Sequence, residues 1–89
     1  MMDCFEIHWK KSAQRELRKL DTSVIPRIIH AVQELENNSK PQGCKKLKGS
    51  EHSYRIRIGN YRVIYEIFED KVIIEIVRIR HRKDVYRGY

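Results

Sequence analysis

The residues of this chain best equipped for chemistry are arginines set between strand-forming apolar residues. They occur in Tyr54-Arg55-Ile56-Arg57-Ile58, Tyr61-Arg62-Val63-Ile64-Tyr65 and Arg78-Ile79-Arg80-His81-Arg82. A strand sends successive side chains to opposite faces, so Arg55 and Arg57 emerge together while Tyr54, Ile56 and Ile58 turn inward. Guanidinium groups stay charged at any relevant pH and donate in planar pairs, a geometry that matches phosphate. A small chain that lines a sheet with them points to a polyanionic partner, nucleic acid first. Arg62, Arg78 and Arg80 can join the same surface, but only a particular strand register brings them there.

The elements that must position these side chains follow from periodicity. Cys4-Phe5-Glu6-Ile7-His8-Trp9 alternates apolar and polar residues and reads as a first strand. Ser12 is suited to cap a helix in which Ala13, Leu17 and Leu20 share a face. Asp21, Thr22 and Ser23 supply a second cap, and Pro26 falls in a first turn where its missing N–H is harmless. Ile25, Ile28, Ile29, Val32 and Leu35 form the buried stripe of a second helix ending near Glu36, and the short connection implies a helical hairpin. Asn37 to Gly43 is a loop by composition, and Lys45-Lys46-Leu47-Lys48-Gly49 is a basic lead-in to the sheet. Strands are expected over Tyr54–Ile58, Tyr61–Phe68 and Val72–Arg80, joined by turns at Gly59-Asn60 and Glu69-Asp70-Lys71. Short turns make these three an antiparallel meander. Asp84–Tyr89 is a tail with room for one helical turn. The expected fold is α+β, in the order βααβββ with a C-terminal appendage, the helical hairpin covering one sheet face.

Eighty-nine residues, 40% hydrophobic and 35% charged, describe one globular domain spanning residues 1–89. No apolar run is long enough to span a bilayer, and no secretory signal is evident, so a cytoplasmic protein is expected. Cys4 and Cys44 lack metal-ligand spacing and read as buried or half-buried thiols in a reducing compartment. The net charge of +7 is unevenly placed: residues 1–44 carry +1 and residues 45–89 carry +6. A positive field concentrated in the sheet half raises the local concentration of polyanions and speeds their association.

Taken in order, Lys46-Leu47-Lys48-Gly49, Tyr54-Arg55-Ile56-Arg57, Gly59-Asn60-Tyr61-Arg62-Val63-Ile64-Tyr65 and Arg80-His81-Arg82-Lys83-Asp84-Val85-Tyr86 resemble the RelE/ParE toxin superfamily, on its RelE side. The resemblance spans essentially the whole chain. It implies the toxin of a type II toxin–antitoxin pair, a ribosome-dependent endoribonuclease that cuts messenger RNA in the ribosomal A site without metal or cofactor. The ribose 2′-hydroxyl would attack the adjacent phosphate, leaving a 2′,3′-cyclic phosphate and a free 5′-hydroxyl. Implied partners are the messenger RNA, ribosomal RNA and an acidic RelB-like antitoxin, with no membrane involved.

Such a cleavage needs a base, cations for the charge at phosphorus, and an acid for the leaving 5′-oxygen. By the resemblance, Arg62 holds the scissile phosphate, Arg80 stabilises the transition state or leaving group, and Tyr86 orients the substrate. Arg55 and Arg57 stand where the family's prototype has lysines, one of them taken to serve as the base. Arginine clamps phosphate but is a poor base, so these two, with Lys48 and Arg82, are assigned to phosphate binding. Histidine can take or give a proton near neutrality, so His81 is the chemically suited substitute for the base, with His52 and Glu51 behind it. Duller roles compete: a backbone hydrogen bond for His81, packing for Tyr54, Tyr61 and Tyr65, anchoring of the tail for Tyr86, and ion pairs of Arg62 and Arg80 with Glu66 or Glu75. Two other functions share the fold: a ParE-like inhibitor of DNA gyrase, and a non-catalytic scaffold that binds antitoxin or RNA.

Overall fold

Alternation along residues 61–68 sends Val63, Tyr65 and Ile67 into the core, where they are 0, 0 and 3% exposed. This stretch is the central strand of a computed structural model that describes residues 4–83. In chain order the elements are β1 (Glu6–Trp9), α1 (Lys11–Arg18), α2 (Ile25–Glu34), β2 (Lys45–Lys46), β3 (Ser53–Ile58), β4 (Tyr61–Phe68) and β5 (Ile73–His81). One five-stranded sheet results, ordered β1-β5-β4-β3-β2. β3, β4 and β5 form the expected antiparallel meander. β1 joins β5 in parallel, so the sheet is mixed. A parallel partner needs a long crossover, and the two helices lie in that connection. The two-residue β2 pairs with β3 within what reads from sequence as a lead-in.

The helices place Ala13, Ile28, Val32 and Leu35 in the same buried cluster as Ile56, Val63, Tyr65, Ile67, Ile74, Ile76 and Ile79. Their ends differ from expectation. Lys10, not Ser12, is the cap residue of α1, and its side chain makes no capping bond. Asp21 Oδ1 accepts the Ser23 N–H (3.2 Å), an Asx turn that precedes α2 without capping it, since Val24 occupies the cap. Packing of the apolar faces stabilises these short helices more than their caps do. No helix among the described residues is long and apolar enough to cross a membrane. Cys4 is an exposed free thiol and Cys44 a half-buried one, so the expected burial fails at Cys4.

Two local features tune the meander. Gly59 adopts φ +59° in the two-residue turn between β3 and β4, a conformation glycine enters without steric cost. Between Ile64 and Tyr65 the β4–β5 register shifts: Ile64 faces Arg78, Tyr65 faces Ile76, and Val77 is the extra residue of a β-bulge. Ile79 and Ile76, three apart, consequently both reach the core. Val72 stands outside β5 because it takes up a left-handed φ of 56°. That conformation is costly for a β-branched residue, and backbone bonds from Val72 N to Glu69 O and from Glu6 N to Val72 O hold it in place.

Tyr65 is wholly buried, and its hydroxyl donates to the Ser39 carbonyl at 2.8 Å, pinning the loop after α2 to the sheet. Burial, reinforced by neighbouring Cys44 and Tyr54, raises its pKa well above the usual value. The fold therefore favours the neutral phenol, a contribution fully present below pH ~10 and lost as pH rises beyond it. Tyr65→Phe is expected to cost about 1 kcal/mol at neutral pH and to flatten the alkaline loss of stability. Urea unfolding as a function of pH measures both.

Candidate nucleic-acid interface

Strand pairing sets the arginine register that sequence alone leaves open. Arg57 faces Arg62 across β3–β4, and Arg62 faces Arg80 across β4–β5. Directly opposed residues share a face, so three guanidinium-bearing side chains form one row across the sheet. A second row, two residues along, runs Lys45, Arg55, Ile64 and Arg78. Both rows occupy the face opposite Ile56, Val63 and Ile79, which pack in the core. Further along the same face Glu66 is paired with Glu75, so the surface is basic at one end and acidic at the other.

Two hollows meet at Arg55 and Arg62. One, about 250 Å³, is lined by Gly43, Lys45, Arg55, Arg57 and Arg62. The other, about 550 Å³, has Leu47 and Ile64 as apolar walls, with Lys48, Ser50, Ser53, Arg55 and Arg62 around them. Lys48 thus shares a hollow with Arg55 and Arg62. Lys45, which from sequence is merely part of a basic run, lies in the row because β2 pairs with β3 at Arg55.

The three arginines of the first row are held differently. Arg57 is exposed and its Nε donates to the Gly59 carbonyl at 3.2 Å. Arg62 is half-buried, and among the described residues no carboxylate pairs with it. Arg80 is paired with Glu16 of α1 and not with Glu66 or Glu75, the competing ion pairs weighed above. Those two carboxylates stand at the far end of the face, out of Arg80's row.

His81 departs from the role expected of it. Adjacent strand residues point to opposite faces, and His81 pairs with Tyr61 on the core side. The two rings meet edge to face with centroids 5.1 Å apart, and His81 Nδ1 accepts the Lys83 N–H at 3.2 Å. The imidazole is therefore on the reverse side of the sheet from Arg62 and Arg80. Arg82 is exposed just past β5, its backbone N–H donating to the Asn60 carbonyl at 2.7 Å. Glu51 and His52 lie before β3; His52 rests against Phe68, away from the row. Tyr86 and the expected helical turn at Asp84–Tyr89 lie outside the described residues. Among the described residues no group of three or more His, Cys, Asp or Glu side chains is arranged to hold a metal ion.

The sequence model of the ParE toxin of the type II toxin–antitoxin system parDE matches residues 7–86. The chain belongs to the RelE/ParE toxin superfamily. It is 32% identical over 85 residues to toxin RelE3 of Methanocaldococcus jannaschii, covering 91% of this chain and 94% of that protein. Toxin RelG of Mycobacterium tuberculosis is 25% identical over 84 residues, covering 93% and 97%. Among solved structures, the archaeal RelE–RelB complex from Pyrococcus horikoshii matches with TM-score 0.80 and 26% identity, over 89% of this chain and 96% of that one. The RelB–RelE antitoxin–toxin complex from Methanococcus jannaschii matches with TM-score 0.75 and 29% identity, over 92% and 98%. The expected family and the α+β fold thus stand, and the chain is a RelE-family toxin of a type II toxin–antitoxin system.

Proposed function

We propose that this toxin is a ribosome-dependent endoribonuclease that cleaves messenger RNA by attack of a 2′-hydroxyl on the adjacent phosphate. The observation that carries the reading is the Arg57–Arg62–Arg80 row, with Arg62 central and without a carboxylate partner among the described residues. A phosphate seated at Arg62 receives paired N–H donors from one guanidinium and the field of its neighbours. These cations stabilise the charge that develops as phosphorus becomes five-coordinate, where preorganised donors act most strongly. The apolar walls at Leu47 and Ile64 offer a surface for the sugar or base next to that phosphate. Arg55, Lys45 and Lys48 guide the flanking backbone, and Tyr86 is assigned by its place in the family pattern to orienting the substrate. The reading needs no metal ion. The base is a group other than Arg55 or Arg57, and His81 is set aside as that base because it occupies the reverse face.

An acidic RelB-like antitoxin is the proposed partner in the cell. The RelE–RelB complexes among the similar structures support it, as does the unbalanced positive charge of residues 45–89. The ParE description of the matching family model favours one rival, inhibition of DNA gyrase. Induced expression with parallel mapping of transcript 5′ ends and plasmid supercoiling separates the two. Codon-phased cuts with normal supercoiling are expected; intact transcripts with altered supercoiling overturn the nuclease reading.

A further inference from the structure

Among the described residues, Arg80 is the arginine of the row that a carboxylate holds, and its partner comes from a distant part of the chain. Glu16 lies on α1, and its two oxygens do different things. Oε1 accepts the backbone N–H of Ile79 at 2.8 Å, and Oε2 receives Nη1 of Arg80. Both charged side chains are about three-quarters buried, at 27% and 24% exposed. The bond to Ile79 has a topological cause. β1 covers the edge of β5 only at Ile73–Ile76. Beyond Ile76 no strand among the described residues lies beside that edge, and α1, which packs on β5, brings Glu16 to it at Ile79. A bare edge N–H needs an acceptor, and Glu16 supplies one while reaching the next side chain along.

We infer that Glu16 is a positioning residue for Arg80, an inference that rests on the nuclease reading above. Opposed arginines repel one another, and a long side chain at the end of such a row swings away unless something fixes it. Glu16 fixes it through a carboxylate that is itself oriented by the Ile79 amide. One terminal nitrogen is engaged, and the remaining N–H donors stay available to an RNA phosphate. The neighbouring negative charge weakens the pull of Arg80 on substrate in the ground state. The gain is in geometry, which counts in the transition state.

The test compares wild type, Glu16→Gln, Arg80→Ala and the Glu16→Gln/Arg80→Ala double variant in single-turnover cleavage of messenger RNA on programmed ribosomes. Glutamine keeps an oxygen for the Ile79 N–H but offers no charge to Arg80. Glu16→Gln is expected to lower the saturating rate about tenfold, with half-saturation unchanged or tightened by no more than about twofold. In the double variant, Glu16→Gln should add nothing to the loss caused by Arg80→Ala, since the effect runs through Arg80. The shape of the pH–rate profile should not change. Additive losses overturn the proposal, and so does a Glu16→Gln rate equal to wild type. Loss of the acidic limb of the pH profile in Glu16→Gln makes this carboxylate the base and also overturns it. A melting temperature lowered in proportion to activity reduces the role to folding. Absence of cleavage by wild type defeats the nuclease reading itself, an outcome distinct from failure of Glu16 alone.

Discussion

Arg62→Ala is expected to slow messenger RNA cleavage on programmed ribosomes by about 10²–10³-fold, the usual loss when one preorganised transition-state donor is removed. The side chain is central in its row, lines both hollows and has no described carboxylate partner to share it with. Arg62→Lys keeps the charge but loses paired donation, so it should recover only part of the rate. Arg62 lies on the open face, so the fold should survive either change. Single-turnover rates paired with thermal melts separate chemistry from stability. An Arg62→Ala rate within about threefold of wild type would remove Arg62 from the transition state and shift weight to the gyrase reading.

The largest expected stability effect belongs to Ile76. It is fully buried, opposite Trp9 on one side and Tyr65 on the other. Ile76→Ala removes three carbons at the point where β1, β5 and β4 meet, and close-packed neighbours relax only partly into the space. The cost should be about 2–5 kcal/mol, a large share of the ~5–15 kcal/mol that holds a typical domain together. Urea denaturation with an unchanged slope and a much lower midpoint is the expected record. A loss below about 1 kcal/mol would mean that the site collapses without penalty.

Much of this architecture could be read from residue patterns. Strand periodicity located β3, β4 and β5 within a residue of their observed ends, because alternation and short turns are local signals. The parallel docking of β1 was not legible, since a four-residue strand carries no mark of its partner. In the sequence the arginine row is one possibility among several, because register is a property of pairing. The phase change in β5 did leave a trace. Ile74 and Ile76 keep the two-residue rhythm, and Ile79 breaks it. That break also decides that Arg78 and Arg80 face outward. Glu16 gave no signal because its partners lie 63 and 64 residues away. His81 has chemistry that suits a base, while its position beside Arg80 in an extended strand sends it to the reverse face.

Val77 carries a consequence for how this toxin can change over time. Because one unpaired residue resets the inside–outside count of β5, the apolar floor and the cationic surface are threaded on a single ruler. Losing or gaining a residue between Ile76 and Arg80 would rotate guanidiniums toward the oily layer or drive isoleucines into water. Variation in length is thereby confined to the turns and strand ends, and new substrate preferences must come from exchanging side chains at fixed places along the strand.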